Sequence, residues 1–503
     1  PESYHNLVNG LRFGPDGWLY GRCGATGAAD VGVPGTPVEE LIPVRGGMWR
    51  YHPERRVFEA ITSGNTNPWG HDWNEHGELF YVNTVNGHFW HVTPGAHFMR
   101  AHTLDPNPRA YSLIDLHADH WHFDTTLGWQ DTAKRKDKNL SDSLGGGHVH
   151  IGAMFYLGDN WPEIYRGQFF TLNQHGRRAN QEQVERHGSG YIARHRPDFF
   201  KTADDWFLGL DLRYGPDGGV FVIDWSDTGE CHERDGVHRN SGRIFKITHG
   251  RPAPVKVDLA KLSPEELVAL HTHANEWYPR QARIELASRV DTGGAAKELR
   301  SLFETTGDTV IKLRVLWTLH SIGETDEAFL KSLLHHKNEH LRVWALRLLA
   351  DTWPIDTLMS KRPSNFGELK SSAAVPSPES LLPDLARMAS EDDSSLVRLT
   401  LASLLQRLPV DHRLEVAEGL VNHKEDAEDH NLPLMIWYGL IPVAEKHSGE
   451  LARLAGICEL PMTRLCIARR LTEDLETDPA PVNELLELTS AASPEFQSDI
   501  LTG

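Results

Sequence analysis

The stretch Gly145-Gly-Gly-His148-Val-His150-Ile-Gly152 concentrates the residue types that chemistry needs. Three glycines let the backbone turn sharply and come close to another group, and an apolar run of strand character follows. Two imidazoles at i and i+2 on a strand share a face, so His148 and His150 could grip one metal ion or one anionic ligand. The alternative is a glycine turn entering a strand, with both histidines bonded to neighbouring backbone. Asp224 and Asp227, with Glu230 and Asp235 nearby, offer oxygen ligands of the kind calcium takes. They lack EF-hand spacing, and exposed loop acids are the plainer reading. His117, His120 and His122 form another group in which 120 and 122 share a strand face beside two acids, although a surface insertion loop is the preferred reading. His88 and His91, three apart, face opposite sides of a strand and do not suggest a shared ion.

The bulk numbers narrow the field. A chain of 503 residues predicts two or three domains. Its net charge of -19 argues against a nucleic-acid binder, because a polyanion would meet a surface of its own sign. The 4 cysteines form no CxxC or CxxCH, which argues against thiolate zinc and covalent haem within this chain. No apolar run reaches the roughly 18 to 20 residues of a membrane span. Pro1 does not begin a signal peptide, so either the chain is soluble or a targeting segment has been removed. Most of the dense clusters among the 29 histidines fall in the first half, with many of the 15 tryptophans, and that half reads as the functional one.

Residues 1–250 must then position these groups. An apolar strand, a Gly-Pro-Asp-Gly-type turn and a second aromatic-rich strand recur, with the turns starting at 14, 74, 158 and 215. Outer-strand candidates follow at Gly47–Pro53, His88–Val92 and Gly242–Ile247. Gaps of 60, 84 and 57 suit four-stranded propeller blades with long loops. Four blades are read, and the abrupt first copy predicts one or two more before it. In a propeller the segments before the first strands and after the second strands meet at one mouth. That mouth would gather His5, His148, His150, His175, Arg177, Asp224 and Asp227.

After Thr248-His-Gly-Arg-Pro252-Ala-Pro254 the apolar period changes from 2 to 3.6, so 251–262 reads as a linker and 263–503 as an all-α, HEAT-like solenoid. Ser263-Pro264-Glu265-Glu266 carries an N-cap serine, a first-turn proline and a capping-box glutamate. Arginines recur among aliphatics at 283, 314, 342, 398 and 464, which fits stacked helical pairs. His271, His273, His335 and His336 read as solvated helix residues, 354–376 as a loop interruption, and the concave face of the stack as a docking surface for a protein partner.

Phe13-Gly-Pro-Asp-Gly-Trp-Leu-Tyr20, Thr66-Asn67-Pro68-Trp69-Gly70 and Gly215-Pro-Asp-Gly218 resemble the glucose and sorbosone dehydrogenases, six-bladed propellers that use pyrroloquinoline quinone with calcium. That resemblance makes His5 the general base and implies cofactor contacts from Asn67, Trp69 and His175, although Thr66 stands where that family places an arginine. Gly145–Gly152, Tyr165–Asn173, Asp224–His232 and Asp429–Leu434 look like the large secreted bacterial proteins labelled membrane-bound dehydrogenase or haem-binding domain proteins. In those a dehydrogenase-like propeller precedes HEAT repeats and a c-type cytochrome, here absent. Together the resemblances imply an all-β propeller of six-bladed type, N-terminally incomplete, followed by an all-α solenoid. They also imply a periplasmic or secreted quinoprotein-type oxidoreductase acting on a sugar or polyol at the channel mouth. His5, His148 and Arg177 would be catalytic, and His148, His150, Asp224 and Asp227 would hold calcium or another divalent metal. A cytochrome c would accept the electrons. The alternative is a non-catalytic carbohydrate- or protein-binding propeller on a helical scaffold.

Overall fold

The computed structural model describes the chain except residues 1–7, 26, 28, 86, 101–102, 124–139, 229–237, 239 and 356–375. His5, Glu230 and Asp235 therefore lie outside the described residues.

Four antiparallel sheets of three or four strands dominate the N-terminal half, beside two two-stranded pairs, Ala29–Val31 with Ile42–Val44 and Thr62–Ser63 with Ala96–His97. The first orders Asn9–Phe13, Leu19–Cys23, Gly47–His52 and Val57–Ala60, and the second Asn67–Trp73, Leu79–Thr84 and Phe89–His91. The third contains His150–Phe155, Phe169–Asn173, Arg178–His187 and Gly190–Lys201, and the fourth Gly209–Tyr214, Val220–Asp224 and Arg243–Ile247. The expected turns and outer strands are present in all but the third sheet. There Trp161 does not open the second strand; it stacks on Tyr156, and the strand begins at Phe169.

Successive first strands pack on one another from sheet to sheet. Each also carries a register shift, between Asn9 and Arg12, Pro68 and Gly70, Ile151 and Met154, and Gly209 and Asp211. A bulge bends a strand and re-aims its side chains, so the same device shapes all four inner strands. The sheet region is thus an array of four repeated units around shared inner strands, and the six-bladed ring remains an expectation from the resemblance.

Helices occupy the described residues from Pro264 to Thr502, opening with the expected Ser263 capping box. They form two layers. Trp277–Ser288, Thr309–Ser321, Glu339–Leu349, Ser395–Leu404, Leu432–Leu440, Pro461–Thr472 and Pro494–Thr502 stack in one, and the alternate helices in the other. Most of the recurrent arginines tie elements of the stack together: Arg314 to Glu276, Arg342 to Asp392, Arg398 to Asp426 and Arg464 to Asp499. His271 departs from the solvated reading. It is buried, and its ring bonds Thr318 Oγ1 at 2.7 Å.

The first of these layers packs against the sheets, so that face of the stack is covered by the chain's own N-terminal half. The Gly-Pro-Asp-Gly-type turns are the contact. A Cβ on Gly77 would stand 2.6 Å from both Trp317 and Trp344, Trp344 Nε1 donates to His76 O at 2.8 Å, and Asn275 Nδ2 donates to Gly215 O at 3.0 Å. Buried acids of the sheets meet arginines of the helices: Glu59 with Arg407, Asp72 with Arg280, and Glu78 with Arg347. One apolar core runs from Trp18 to Ile500 through both halves.

Removing one partner of a buried pair strands a charge, so Arg347→Met should cost about 3 kcal/mol or more. Calorimetry should show its Tm lowered within a single transition of sheets and helices together. Two separate transitions in the unsubstituted chain would contradict the shared core.

Candidate metal centre

Between the second and third sheets, His88, His120, His122 and Glu182 bring their ligand atoms within 4.8 Å of one another. Each reaches that point by a different local device. His88 follows the turn at Gly87 (φ +70°) that leads into Phe89–His91, and its carbonyl accepts from Asn83 N. Residues 117–119 run as a bridge: His117 N donates to Phe89 O, and Ala193 N to His117 O. That bridge ties the outer strand of the second sheet to the outer strand of the third and delivers His120 and His122 just beyond it. Glu182 lies on Arg178–His187, opposite Phe169 on one side and His195 on the other.

The geometry is that of a donor set. His120 Nε2 and His122 Nε2 are 3.0 Å apart, and they lie 3.2 Å and 3.0 Å from Glu182 oxygens. His195 Nδ1 is 3.5 Å and His88 Nε2 3.6 Å from Glu182 Oε1. Around a tetrahedral ion bound at about 2.0 to 2.1 Å, ligand atoms stand about 3.3 Å apart. Neither Glu182 oxygen, nor His88 Nε2, has an aligned hydrogen-bond partner, although all are buried. The second ring nitrogens are also partnered, as metal ligation would require: His120 Nδ1 sits 2.9 Å from Asp119 Oδ1, and His122 Nδ1 2.7 Å from His150 Nε2.

The charge states suit a cation. Burial, then neighbouring His88, lowers His122 to about 3, and burial likewise lowers His88 and His150. Burial also works against ionised Glu182, but attraction by His122 and close contact with His120 and His195 outweigh it and hold the carboxyl well below its usual range. For His120 the pull of Glu182 and Asp119 outweighs burial and raises the ring. Three imidazoles and a carboxylate favour a first-row transition ion over calcium, which prefers an all-oxygen shell.

The glycine run closes the site. Gly145 and Gly146 have φ +114° and +129°, and a Cβ on Gly145 would lie 3.1 Å from His122 Cδ2 and 3.3 Å from Asn180 Nδ2. His150 reaches this centre as the neighbour of His122 and Asn173 Nδ2, which is 3.3 Å away. His148 packs instead on His175, with centroids 4.5 Å apart.

The other expected site residues are placed elsewhere. Asp224 accepts from Leu208 N and Ser226 N at 2.9 Å and pairs with Arg243 at 2.7 Å, while Asp227 Oδ1 accepts from Thr228 N. Arg177 (φ +50°) pairs with exposed Asp205. Asn67 Oδ1 accepts from Trp69 Nε1 at 2.8 Å, and Asn83 Oδ1 takes the amides of both Thr66 and Asn67. Among the described residues none of these joins the group around Glu182.

Residues 2–250 match the family model of a domain of unknown function, DUF7133. No curated protein matches the chain. Among solved structures it is similar to a Thermus thermophilus chain described as an oxidoreductase (glucose dehydrogenase), at 18% identity and TM-score 0.31, over 49% of this chain and 65% of that one. A second, a glucose dehydrogenase, is 14% identical with TM-score 0.30, over 48% of this chain and 64% of that one. The chain therefore spans just under two thirds of the length of either.

His122 and Glu182 escape a reading of the sequence in different ways. The 120–122 pair is visible there but reads as a surface loop, whereas His122 is buried. Glu182 has one faint signal, the polar alternation Arg178, Asn180, Glu182 on a strand beside Phe169-Phe170. If these residues bind an ion, substoichiometric zinc should raise the Tm, and Glu182→Gln should weaken zinc binding at least tenfold by competition with a chromogenic chelator. Equal binding by both proteins would exclude the carboxylate as a ligand.

Proposed function

We propose that this chain is a metal-dependent protein that holds one divalent first-row transition ion on His88, His120, His122 and Glu182, and uses it as an oxidoreductase on a carbohydrate-like small molecule. The observation that carries the metal is Glu182: a carboxylate at 0% exposure whose near neighbours are imidazoles rather than an arginine. An ionised carboxylate so placed needs a positive charge within the same enclosure. His120 and His195 keep 18% and 31% of their side chains exposed, so the enclosure opens on their side. A ligand approaching there would meet the ion beside His195.

The reaction class rests on the motif resemblance. In this reading a bound ion would supply Lewis-acid polarisation or a redox couple. The protein's own part is orientation: Asp119 fixes the His120 ring, His150 fixes that of His122, and the Gly145–Gly147 run excludes bulk from above. Electron transfer to a cytochrome c and a periplasmic or secreted setting belong to the same proposal. The quinone with calcium is not part of it, because Asn67 and Trp69 bond one another, Asp224 pairs with Arg243, and Thr66 stands where the resemblance expects an arginine.

A second reading has its own support. Four protein ligands saturate a tetrahedral ion, and a saturated ion is structural. The two separate in the cobalt-substituted protein: a five-coordinate spectrum that changes with azide is expected of an open site, a tetrahedral azide-insensitive one of a structural ion. Dye-coupled oxidation of sugars and polyols by the metal-loaded chain should be lost in His120→Ala. Turnover unaffected by that change and by metal removal would overturn the metal-dependent reading.

A further inference from the structure

A second group of buried charges lies among the inner strands, and it is unbalanced in the opposite sense. Arg12, on the first sheet's inner strand, and Arg22, on the strand paired with it, lie within electrostatic reach of Arg213 on the inner strand of the fourth. His71 stands between them on the second. The acids there are Asp72 and Asp211. Asp72 is already shared by Arg12 at 2.8 Å and Arg280 at 2.9 Å, and Asp211 pairs with Arg213 at 3.3 Å.

Arg22 has no such partner. It is 5% exposed, and among the described residues no carboxylate lies within ion-pair distance of it. Its Nη1 donates to His71 Nδ1 at 2.6 Å. Burial, then the nearby arginines, holds the His71 ring well below its usual range, so it is neutral, with Nδ1 accepting and Nε2 carrying the proton. That leaves two buried donors, Arg22 Nε and His71 Nε2, without acceptors. The backbone makes room for this guanidinium: Gly10 has φ +73°, and a Cβ there would lie 2.3 Å from Arg22 Cζ. Asp211 and Arg213 keep 34% of their side chains exposed, which gives the group a way out to solvent.

We propose that the interior between the four inner strands is a binding site for a small oxyanion, a carboxylate or a phosphate, held by Arg22, His71 and Arg213. A guanidinium fork and an imidazole N–H match the geometry of such a group, and in a low-dielectric interior their attraction for it is strong. Burial lowers Arg22 to about 9, with Arg213 and Arg12 adding to the shift and Asp211 opposing it, and a bound anion would relieve it. This site is independent of the proposed metal centre: it shares no residue with it and needs no ion there.

Thermal unfolding of the full chain with sodium phosphate and with sodium oxalate, against sodium chloride at equal ionic strength, tests the site. A ligand that binds only the folded state raises the Tm in a saturable way. The expected result is such a rise with phosphate, oxalate or both, phosphate alone marking a phosphate-type ligand and oxalate alone a carboxylate. Arg22→Gln and Arg213→Gln should each weaken the apparent affinity at least tenfold, while Lys297→Gln, the same charge change on an exposed helix residue, and Glu182→Gln should leave it unchanged. Should Arg22→Gln not fold, Arg213→Gln decides. No saturable response to either anion, or an equal response in Arg213→Gln, overturns the site.

Discussion

Among the described residues three carboxylates have no exposure at all, Asp72, Glu78 and Glu182, and the structure turns on how each is neutralised. Asp72 and Glu78 project from the second sheet and are met by Arg280 and Arg347 of the helical stack. Glu59 of the first sheet meets Arg407 in the same way, and in the reverse sense Asp351 of the stack meets Arg50 and Arg55 of the sheets. A buried charge without its partner costs several kcal/mol, so each pair fixes the register of sheet against helix. The two halves are therefore not a domain and a detachable scaffold. Pulled apart, both would expose a row of stranded charges along with a continuous apolar face.

Glu182 breaks that pattern. It sits as deep as Asp72 and Glu78, yet no arginine meets it: burial holds His88 and His122 neutral, and among its imidazoles His120 alone is shifted toward the charged form. An imidazole can donate one hydrogen bond but brings no charge unless it is protonated, and burial opposes protonation. The surrounding chain has also gone to some length to assemble these rings: a bridge from the second sheet to the third for His120 and His122, and a glycine run whose φ values other residues rarely adopt. Strain and buried polarity of this kind persist where the remaining structure over-determines them, which is the usual condition of a site.

Much of the frame was legible because it rests on local rules. The period change near residue 250, the Ser263 cap and the glycine turns at 14, 74 and 215 all follow from nearest-neighbour chemistry, and the structure has them where the sequence puts them. The purpose of the turns was not legible. In the turn at 74, Gly77 admits Trp317 and Trp344 to the sheet, a contact made across more than 200 residues of chain. The same separation hid the candidate metal centre. Its residues come from positions 88, 120, 122 and 182, on two sheets and a connecting segment, so no spacing rule links the 120–122 pair to the other two. The i, i+2 pair His148 and His150 was visible for the opposite reason, being local, and yet the two rings diverge, one to His175 and one to His122.

The repeat itself explains why two charged interiors coexist in one small array. Four inner strands with the same bulge converge, so whatever side chains the bulges re-aim are crowded together, and here those strands and their neighbours bring arginines close to one another. The outer strands diverge, leaving wedges between neighbouring sheets that must be filled from elsewhere, and residues 117–122 fill the one between the second and third. Convergence concentrates positive charge between the inner strands, while the wedge collects a carboxylate and its imidazoles. An anion at the first and a cation at the second would each complete an enclosure that the protein side chains alone leave electrically open.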